Sequence, residues 1–135
     1  MSRTKKILLT AAVVPASLAL LVGCGSKPEY CQKTDELKQS INDFGSSLKT
    51  ANPDQISSAA TNVENAGDAV VQAARTDYPQ QTSSLRNTID AVSTDINELS
   101  GSSDQAKVIA NLGLDLLQLR ADFSAFQKAT SSDCG

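Results

Sequence analysis

The apolar residues from position 85 onward recur at alternating intervals of four and three, and this periodicity is the clearest structural signal in the chain. They are Leu85, Ile89, Val92, Ile96 and Leu99. Such spacing places every member on one side of an α-helix, where it needs another apolar surface to cover it. The stretch therefore predicts an amphipathic helix that packs against other helices.

Three further stretches have helical periodicity. The first carries Leu37, Ile41, Phe44 and Leu48. The second has a face of mostly small side chains: Ile56, Ala59, Ala60, Val63, Ala66, Gly67, Val70 and Ala74. The last carries Ile109, Leu112, Leu116, Leu119, Phe123 and Phe126, and we expect its apolar stripe to be widened by Val108, Leu114 and Leu117. Stripes of this kind are typical of the core of a helical domain.

The first two boundaries between these stretches are marked by proline. Asn52 is a good N-cap residue, Pro53 suits the first helical position, and Gln55 can complete a capping box. Pro79 lacks the N–H that a helix needs and disfavours a helical Tyr78, so we expect the second helix to end there. One long helix kinked at Pro79 is the competing interpretation.

The remaining boundaries are predicted from small and polar residues. Gly101 lies in a run of serines and is expected at the C-terminal cap of the third helix. Residues 130–135 are expected to form a polar tail that holds Cys134. The sequence thus predicts an all-α, up-down-up-down four-helix bundle.

A different kind of segment precedes the predicted bundle. Arg3, Lys5 and Lys6 are followed by an apolar run of 16 residues from Ile7 to Val22. As a helix this run would be about 24 Å long, which is short of the ~30 Å hydrocarbon core of a bilayer. The arrangement is typical of a secretory signal peptide.

The apolar run ends in Leu21, Val22, Gly23 and Cys24. These four residues resemble the bacterial lipobox. The resemblance implies that the Cys24 thiol receives a diacylglycerol and that cleavage before Cys24 makes it the mature N-terminus. We therefore expect a lipoprotein signal peptide over residues 1–23, a lipidated tether over residues 24–30 and a helical bundle over residues 31–135. An uncleaved signal anchor and a protein that is cleaved and released are the alternatives.

With Cys24 lipidated, the chain retains two cysteines, Cys31 and Cys134. Because export permits oxidation, we expect a disulfide bond between them, and two free thiols in a reducing envelope are the alternative. An even number of antiparallel helices brings the two ends of a chain together, whereas an odd number leaves them about 30 Å apart. Since bonded cysteines need Cα atoms within ~7 Å, four helices agree with this bond and three do not.

Charge and composition exclude several classes of function. All 15 acidic residues follow position 23 and three of the 12 basic residues precede it, so the expected mature chain has a net charge of about −6. This charge argues against a basic face for nucleic acid or anionic headgroups, and leaves the lipid at Cys24 to provide membrane attachment. The chain contains no His, the commonest general base and metal ligand. We therefore predict no catalytic, metal or cofactor site, and interpret as solvated the acidic pairs Asp90 with Asp95, Asp115 with Asp122 and Glu64 with Asp68.

The expected mature chain is also similar to small uncharacterised lipoproteins of actinobacteria. The features that carry the similarity are the lipobox Cys24, the pair Tyr30-Cys31, a body rich in Ala, Ser, Thr, Asp and Gln, and Cys134 close to the end. The prediction is a non-enzymatic lipoprotein, lipid-anchored at the extracytoplasmic face of the cell membrane, that binds an envelope protein or has a structural role. The alternative is a module that binds a small ligand or lipid between the small-residue face of the second helix and Phe123 and Phe126.

Overall fold

The computed structural model describes residues 27–134 and contains four helices. They are α1 (Glu29–Thr50), α2 (Pro53–Ala74), α3 (Pro79–Gly101) and α4 (Gln105–Cys134). Each helix packs against two others, in the pairs α1–α2, α2–α3, α3–α4 and α1–α4. The short connections make consecutive helices antiparallel, so α1 begins where α4 ends. The predicted all-α four-helix bundle is confirmed.

The predicted N-cap of α2 is also confirmed. Asn52 Oδ1 accepts hydrogen bonds from the N–H groups of Asp54 (3.0 Å) and Gln55 (3.3 Å). The predicted capping box is wrong, because the N–H of Asn52 donates to Thr50 Oγ1 at 3.2 Å, and not to the side chain of Gln55. Thr50, the last residue of α1, thus provides the acceptor that Gln55 would provide in a capping box.

The chain breaks before Pro79, as predicted, and does not form one kinked helix. Helix α2 ends at Ala74, and Tyr78 has φ −132° and ψ 62°, outside the helical region. The Tyr78 N–H still donates to the carbonyl of Ala74 at 2.8 Å, which closes the turn. Proline at the start of α3 explains the break, because it disfavours a helical conformation of the residue before it.

The connection from α3 to α4 differs from the prediction. Gly101 is the last helical residue, and the position after it, Ser102, is extended with φ −90° and ψ 141°. Asp104 then caps α4, because its Oδ1 accepts from the N–H of Lys107 at 3.1 Å. At the end of α3, Gln105 Nε2 donates to the carbonyl of Leu99 at 3.4 Å, so a side chain and not a left-handed glycine satisfies this carbonyl.

The predicted polar tail is wrong, because α4 continues to Cys134. Thr130 is buried, and its hydroxyl donates to the carbonyl of Phe126 at 2.9 Å. Asp133 accepts two hydrogen bonds from tyrosines elsewhere in the chain. These contacts compensate for the absence of apolar residues in the last turn.

The predicted apolar faces form a single core. Its largest fully buried side chains are Phe44, Phe126, Leu37, Ile56, Leu85, Leu99, Leu112 and Leu119. Val108 is also buried, as expected, but Leu114 and Leu117 are 66% and 63% exposed. The prediction that these two leucines widen the core stripe of α4 is therefore wrong. The other helices cover one side of α4, and the two leucines lie on the opposite side.

Candidate functional site at the disulfide end of the bundle

The two predicted partner cysteines meet where α1 begins and α4 ends, and we call this region the disulfide end. The Sγ atoms of Cys31 and Cys134 are bonded, and their Cα atoms are 5.4 Å apart. Cys31 lies in the first turn of α1 and Cys134 is the last residue of α4. The bond therefore closes the bundle across 103 positions of sequence.

Three aromatic rings pack beneath the disulfide, each edge to face with the other two. The ring centroids of Tyr30 and Tyr78 are 5.8 Å apart, and those of Tyr30 and Phe126 are 6.3 Å apart. Tyr78 and Phe126 complete the triangle at 6.1 Å. Edge-to-face pairs at these distances contribute about 0.5–1.5 kcal/mol each beyond their buried area. The cluster joins α1, the residue before α3, and α4.

Both tyrosine hydroxyls donate to one oxygen of Asp133. The donor–acceptor distance is 2.6 Å from Tyr30 and 2.5 Å from Tyr78. Tyr30 is buried, and this burial, together with its hydrogen bond to Asp133, raises its pKa far above the ordinary range. The hydrogen bond to Asp133 also raises the pKa of Tyr78. The hydrogen bond from Tyr30 and, to a smaller extent, the one from Tyr78 lower the pKa of Asp133.

These pKa shifts determine what the cluster can do chemically. The tyrosines stay protonated and the aspartate stays ionised at neutral pH, so every proton in the network remains with its donor. A general acid or base needs a pKa closer to the working pH. The network is therefore suited to holding α1, α3 and α4 together and not to proton transfer.

The helical periodicity does not predict this network, although the sequence contains a signal for it. Tyr30 and Asp133 are each adjacent in sequence to a cysteine of the predicted disulfide. Bonded cysteines bring their sequence neighbours close together, so the predicted pairing already placed a phenol near a carboxylate. Tyr78 has no such signal, because its position in the sequence indicates only that it precedes a helix-breaking proline.

A cavity of about 440 Å³ lies beside the disulfide, on the seam between α1 and α4. Its lining comes from both helices and the segment before α1, and consists of Lys27, Cys31, Gln32, Thr34, Asp35, Gln127, Thr130, Ser131 and Cys134. Most of these side chains carry a polar group, but their apolar atoms also line the cavity, so it is suited to a small ligand with both polar and apolar parts.

The ligand pocket predicted between α2 and the two phenylalanines of α4 is not where the cavity lies. Helices α2 and α4 are diagonal in the bundle and do not pack against each other. A Cβ atom added to Gly67, in the small-residue face, would lie 2.2 Å from Cδ1 of Ile89. The small side chains of α2 therefore make room for the side chains of neighbouring helices.

The acidic residues form a pairing that the sequence did not indicate. Asp115 on α4 lies against Asp95 on α3, and burial followed by the hydrogen bond with Asp95 raises the pKa of Asp115 to about 7. Asp122 instead accepts a hydrogen bond from Thr88, and Asp90 is exposed. Within residues 27–134, no group of three His, Cys, Asp or Glu side chains could hold a metal ion.

Cys24 lies outside the described residues, so its lipidation remains a prediction. None of the helices between residues 27 and 134 is long and apolar enough to cross a membrane. Comparison of the chain with protein-family models, curated proteins and solved structures finds no match.

Proposed function

We propose that this chain is a bacterial lipoprotein whose helical bundle is anchored through Cys24 at the extracytoplasmic face of the cell membrane. The observation that carries the proposal is the order of features near the N-terminus: a basic start, an apolar run of 16 residues and then Leu21, Val22, Gly23 and Cys24. Acylation with two or three chains holds a protein stably on a bilayer, whereas one chain gives marginal binding.

The structure supports this proposal through the position at which the bundle begins. Helix α1 starts at Glu29, five positions after Cys24. Five residues extend at most about 18 Å, so an anchored bundle would lie directly on the membrane. The Cys31–Cys134 bond favours an oxidising compartment, as expected for an exported protein.

The role that we propose for the bundle is non-enzymatic: it binds another envelope protein or serves as a structural part. The hydroxyls of Tyr30 and Tyr78 are engaged with Asp133, and their pKa values are shifted away from neutral pH. The chain has no His to supply a base. We also propose that it belongs with the small actinobacterial lipoproteins that its cysteine and tyrosine positions resemble.

Mass spectrometry of the membrane fraction tests the anchor. The wild-type protein should lack residues 1–23 and carry a diacylglycerol on Cys24, and Cys24→Ser should keep residues 1–23 and lose the lipid. Cys31→Ser provides the control, because it should still be lipidated and cleaved. A native protein with residues 1–23 attached, or with an unmodified Cys24, contradicts the proposal.

Crosslinking in intact cells tests the proposed binding role. Recovery of the lipidated wild type should enrich one or more envelope proteins above the level seen with an unrelated lipoprotein. A binding surface formed by the folded bundle should lose this enrichment when Leu85→Asp unfolds it, while lipidation persists. Recovery of no protein above background under several growth conditions contradicts the binding role.

The cavity beside the disulfide favours a second candidate, which is the binding of a small ligand. Its volume of about 440 Å³ falls within the ~300–1,000 Å³ range of ligand sites. Native mass spectrometry of protein purified from its own membranes should then show a retained adduct that Gln127→Trp removes. An adduct-free spectrum of the wild type counts against this candidate.

A further inference from the structure

Helix α4 has a second apolar face, which points away from the core. Leu114 and Leu117 are 66% and 63% exposed, and exposed Ala110 and Ala121 continue the line in both directions. The spacings of four, three and four place these residues on one side of the helix. We call these four residues the α4 outer face, which is about 17 Å long.

The charges that border this face are positive. Lys107 and Lys128 are exposed beyond its two ends, and Arg120 is exposed along one side. The two carboxylates in the middle of α4 point toward α3: Asp122 accepts a hydrogen bond from Thr88, and Asp115 lies against Asp95. The exposed side of α4 therefore combines an apolar centre with a cationic border.

Helix α1 contributes two lysines near the seam with α4, where the exposed Asp35 also lies. The guanidinium of Arg120 lies over Gly45 of α1, where an added Cβ would be only 2.7 Å from Nη2. Lys38 and Lys49 are exposed and lie seven residues before and four residues after Gly45. Helical periodicity puts both lysines on the side of α1 that faces Arg120.

The opposite side of the bundle is acidic. Residues 53–101, which form α2 and α3, contain Arg75 and Arg86 as their only basic residues, against the acidic residues Asp54, Glu64, Asp68, Asp77, Asp90, Asp95 and Glu98. Two basic and seven acidic residues give residues 53–101 a net charge of −5, whereas residues 27–50 and 104–134 hold seven basic and eight acidic residues and have a net charge of −1. The net charge of about −6 is therefore concentrated on the α2–α3 side, and most of the basic residues lie on the α1–α4 side.

We propose that the α4 outer face rests on an anionic lipid surface, so that the bundle lies on its α4 side and does not stand on its end. The inference rests on the proposed anchor at Cys24. An apolar face with a basic border binds such a surface by burying its apolar side chains ~5–10 Å deep, while the cations contact the headgroups.

The position of the tether agrees with this orientation. Lys27, the first described residue, lines the seam between α1 and α4 together with Ser131 and Cys134. The chain therefore enters the bundle beside α4. A second copy of the chain is a weaker occupant, because its own α4 outer face would supply leucines and cations but no carboxylates.

The absence of Trp from the chain makes a direct test possible. Lipidated Leu117→Trp protein is reconstituted into vesicles of phosphatidylglycerol or of phosphatidylcholine, with brominated acyl chains as quenchers. We expect bromolipid to reduce the emission of the introduced indole by about half or more in phosphatidylglycerol, because the face is buried among the acyl chains there. Quenching should be weaker in phosphatidylcholine. The control is Asn65→Trp on α2, which does not pack against α4 and should stay unquenched in both lipids.

A matched pair of charge variants distinguishes the effect of the basic border on quenching from the effect of net charge. Lys107→Gln/Lys128→Gln, made in the Leu117→Trp background, should lose most of the quenching in phosphatidylglycerol. Arg75→Gln/Arg86→Gln removes the same charge from the seam between α2 and α3 and should leave the quenching unchanged. Equal effects of the two pairs overturn the proposed orientation.

Vesicle flotation distinguishes failure of this proposal from failure of the anchor. Protein that floats with vesicles but shows no quenching at position 117 overturns the α4 orientation and leaves the anchor intact. Protein that does not float, with an unmodified Cys24, overturns both. If the indole of Leu117→Trp is shielded in detergent without vesicles, and the shielding depends on protein concentration, a second copy is the occupant and the lipid contact is overturned.

Discussion

The carboxyl group of Asp115 on α4 meets that of Asp95 on α3, and Oδ2 of Asp115 is buried without a hydrogen-bond partner. Two carboxylates in contact repel each other when both are ionised, so the pair most readily holds one proton. Burial, and then Asp95, raise the pKa of Asp115 to about 7. The contact between α3 and α4 is therefore sensitive to pH near neutrality.

We predict that the free energy of unfolding falls as the pH rises from about 4 to about 7. The ordinary pKa of an aspartate is 3.8, so in this window the folded protein keeps a proton that the unfolded chain has released. Partial exposure of the pair limits the effect to on the order of 1–2 kcal/mol. Urea denaturation at pH 5 and pH 8 measures it.

Asp115→Asn should remove this pH dependence and make the protein more stable than wild type at pH 8, because the amide can donate to Asp95 at any pH. Asp90→Asn is the matched control on the exposed side of α3 and should change stability by less than about 0.5 kcal/mol. A wild-type protein equally stable at pH 5 and pH 8 contradicts the shared proton.

Removal of the disulfide should destabilise the bundle strongly. The bond joins residues 103 positions apart, and a cross-link of this length restricts the unfolded chain most. Cys31→Ala/Cys134→Ala should lower the free energy of unfolding by about 2–5 kcal/mol in urea denaturation. A reducing agent should reproduce this loss in the wild type and have no effect on the double variant. Identical unfolding curves for the oxidised wild type and the variant would mean that the two thiols are not bonded.

The four helices could be predicted because each carries its own evidence. The Leu85 to Leu99 spacing requires no knowledge of the other helices, and Asn52-Pro53 and Tyr78-Pro79 act through the backbone of their immediate neighbours. The cysteine pairing is predicted from the two cysteines that remain once Cys24 is lipidated, and four helices agree with it. Local chemistry thus determines where the helices lie in the sequence, and one covalent constraint relates their ends.

The rotation of each helix about its axis could not be predicted in the same way. Leucines at 112, 114, 116, 117 and 119 surround α4 on several sides, so periodicity alone does not select the buried ones. The covering helices select Leu112 and Leu119 and leave Leu114 and Leu117 in solvent. The same rotation brings Asp115 to Asp95, a pairing across 20 residues with no signal in local sequence.

Two glycines should respond to alanine in opposite directions. A Cβ at Gly67 would lie 2.2 Å from Cδ1 of Ile89, whereas one at Gly113 would meet no atom within 4 Å. Gly67→Ala should therefore destabilise the protein by about 1–3 kcal/mol through overpacking. Gly113→Ala should stabilise it by about 0.5–1 kcal/mol, because alanine favours the helix. Thermal denaturation compares the two, and equal shifts would argue against the close packing of α2 on α3.

Tyr30→Phe should destabilise the disulfide end at neutral pH and have much less effect near pH 2. The two tyrosine hydroxyls lower the pKa of Asp133, so its contribution is present above the ordinary pKa of 3.8 and is lost as the pH falls through the lowered value. Hydrogen exchange of the last turn of α4 at both pH values measures the change. In an Asp133→Asn background Tyr30→Phe should cost less, because the acceptor is no longer charged. An equal cost in both backgrounds would place the effect of Tyr30 in its ring packing alone.

Ala51→Gly should stabilise the protein, although glycine usually weakens helical proteins. Ala51 follows α1 with φ 55° and ψ 24°, and it is the one non-glycine residue between positions 27 and 134 with positive φ. This left-handed conformation costs a residue with a Cβ roughly 1–2 kcal/mol, and glycine adopts it freely. The gain should exceed the extra entropy that glycine loses, giving about 0.5–1 kcal/mol in urea denaturation. Ala91→Gly, exposed within α3, is the control and should lose about 0.5–1 kcal/mol, because its backbone is helical. If both glycines destabilise the protein equally, the connection between α1 and α2 does not hold Ala51 in this conformation.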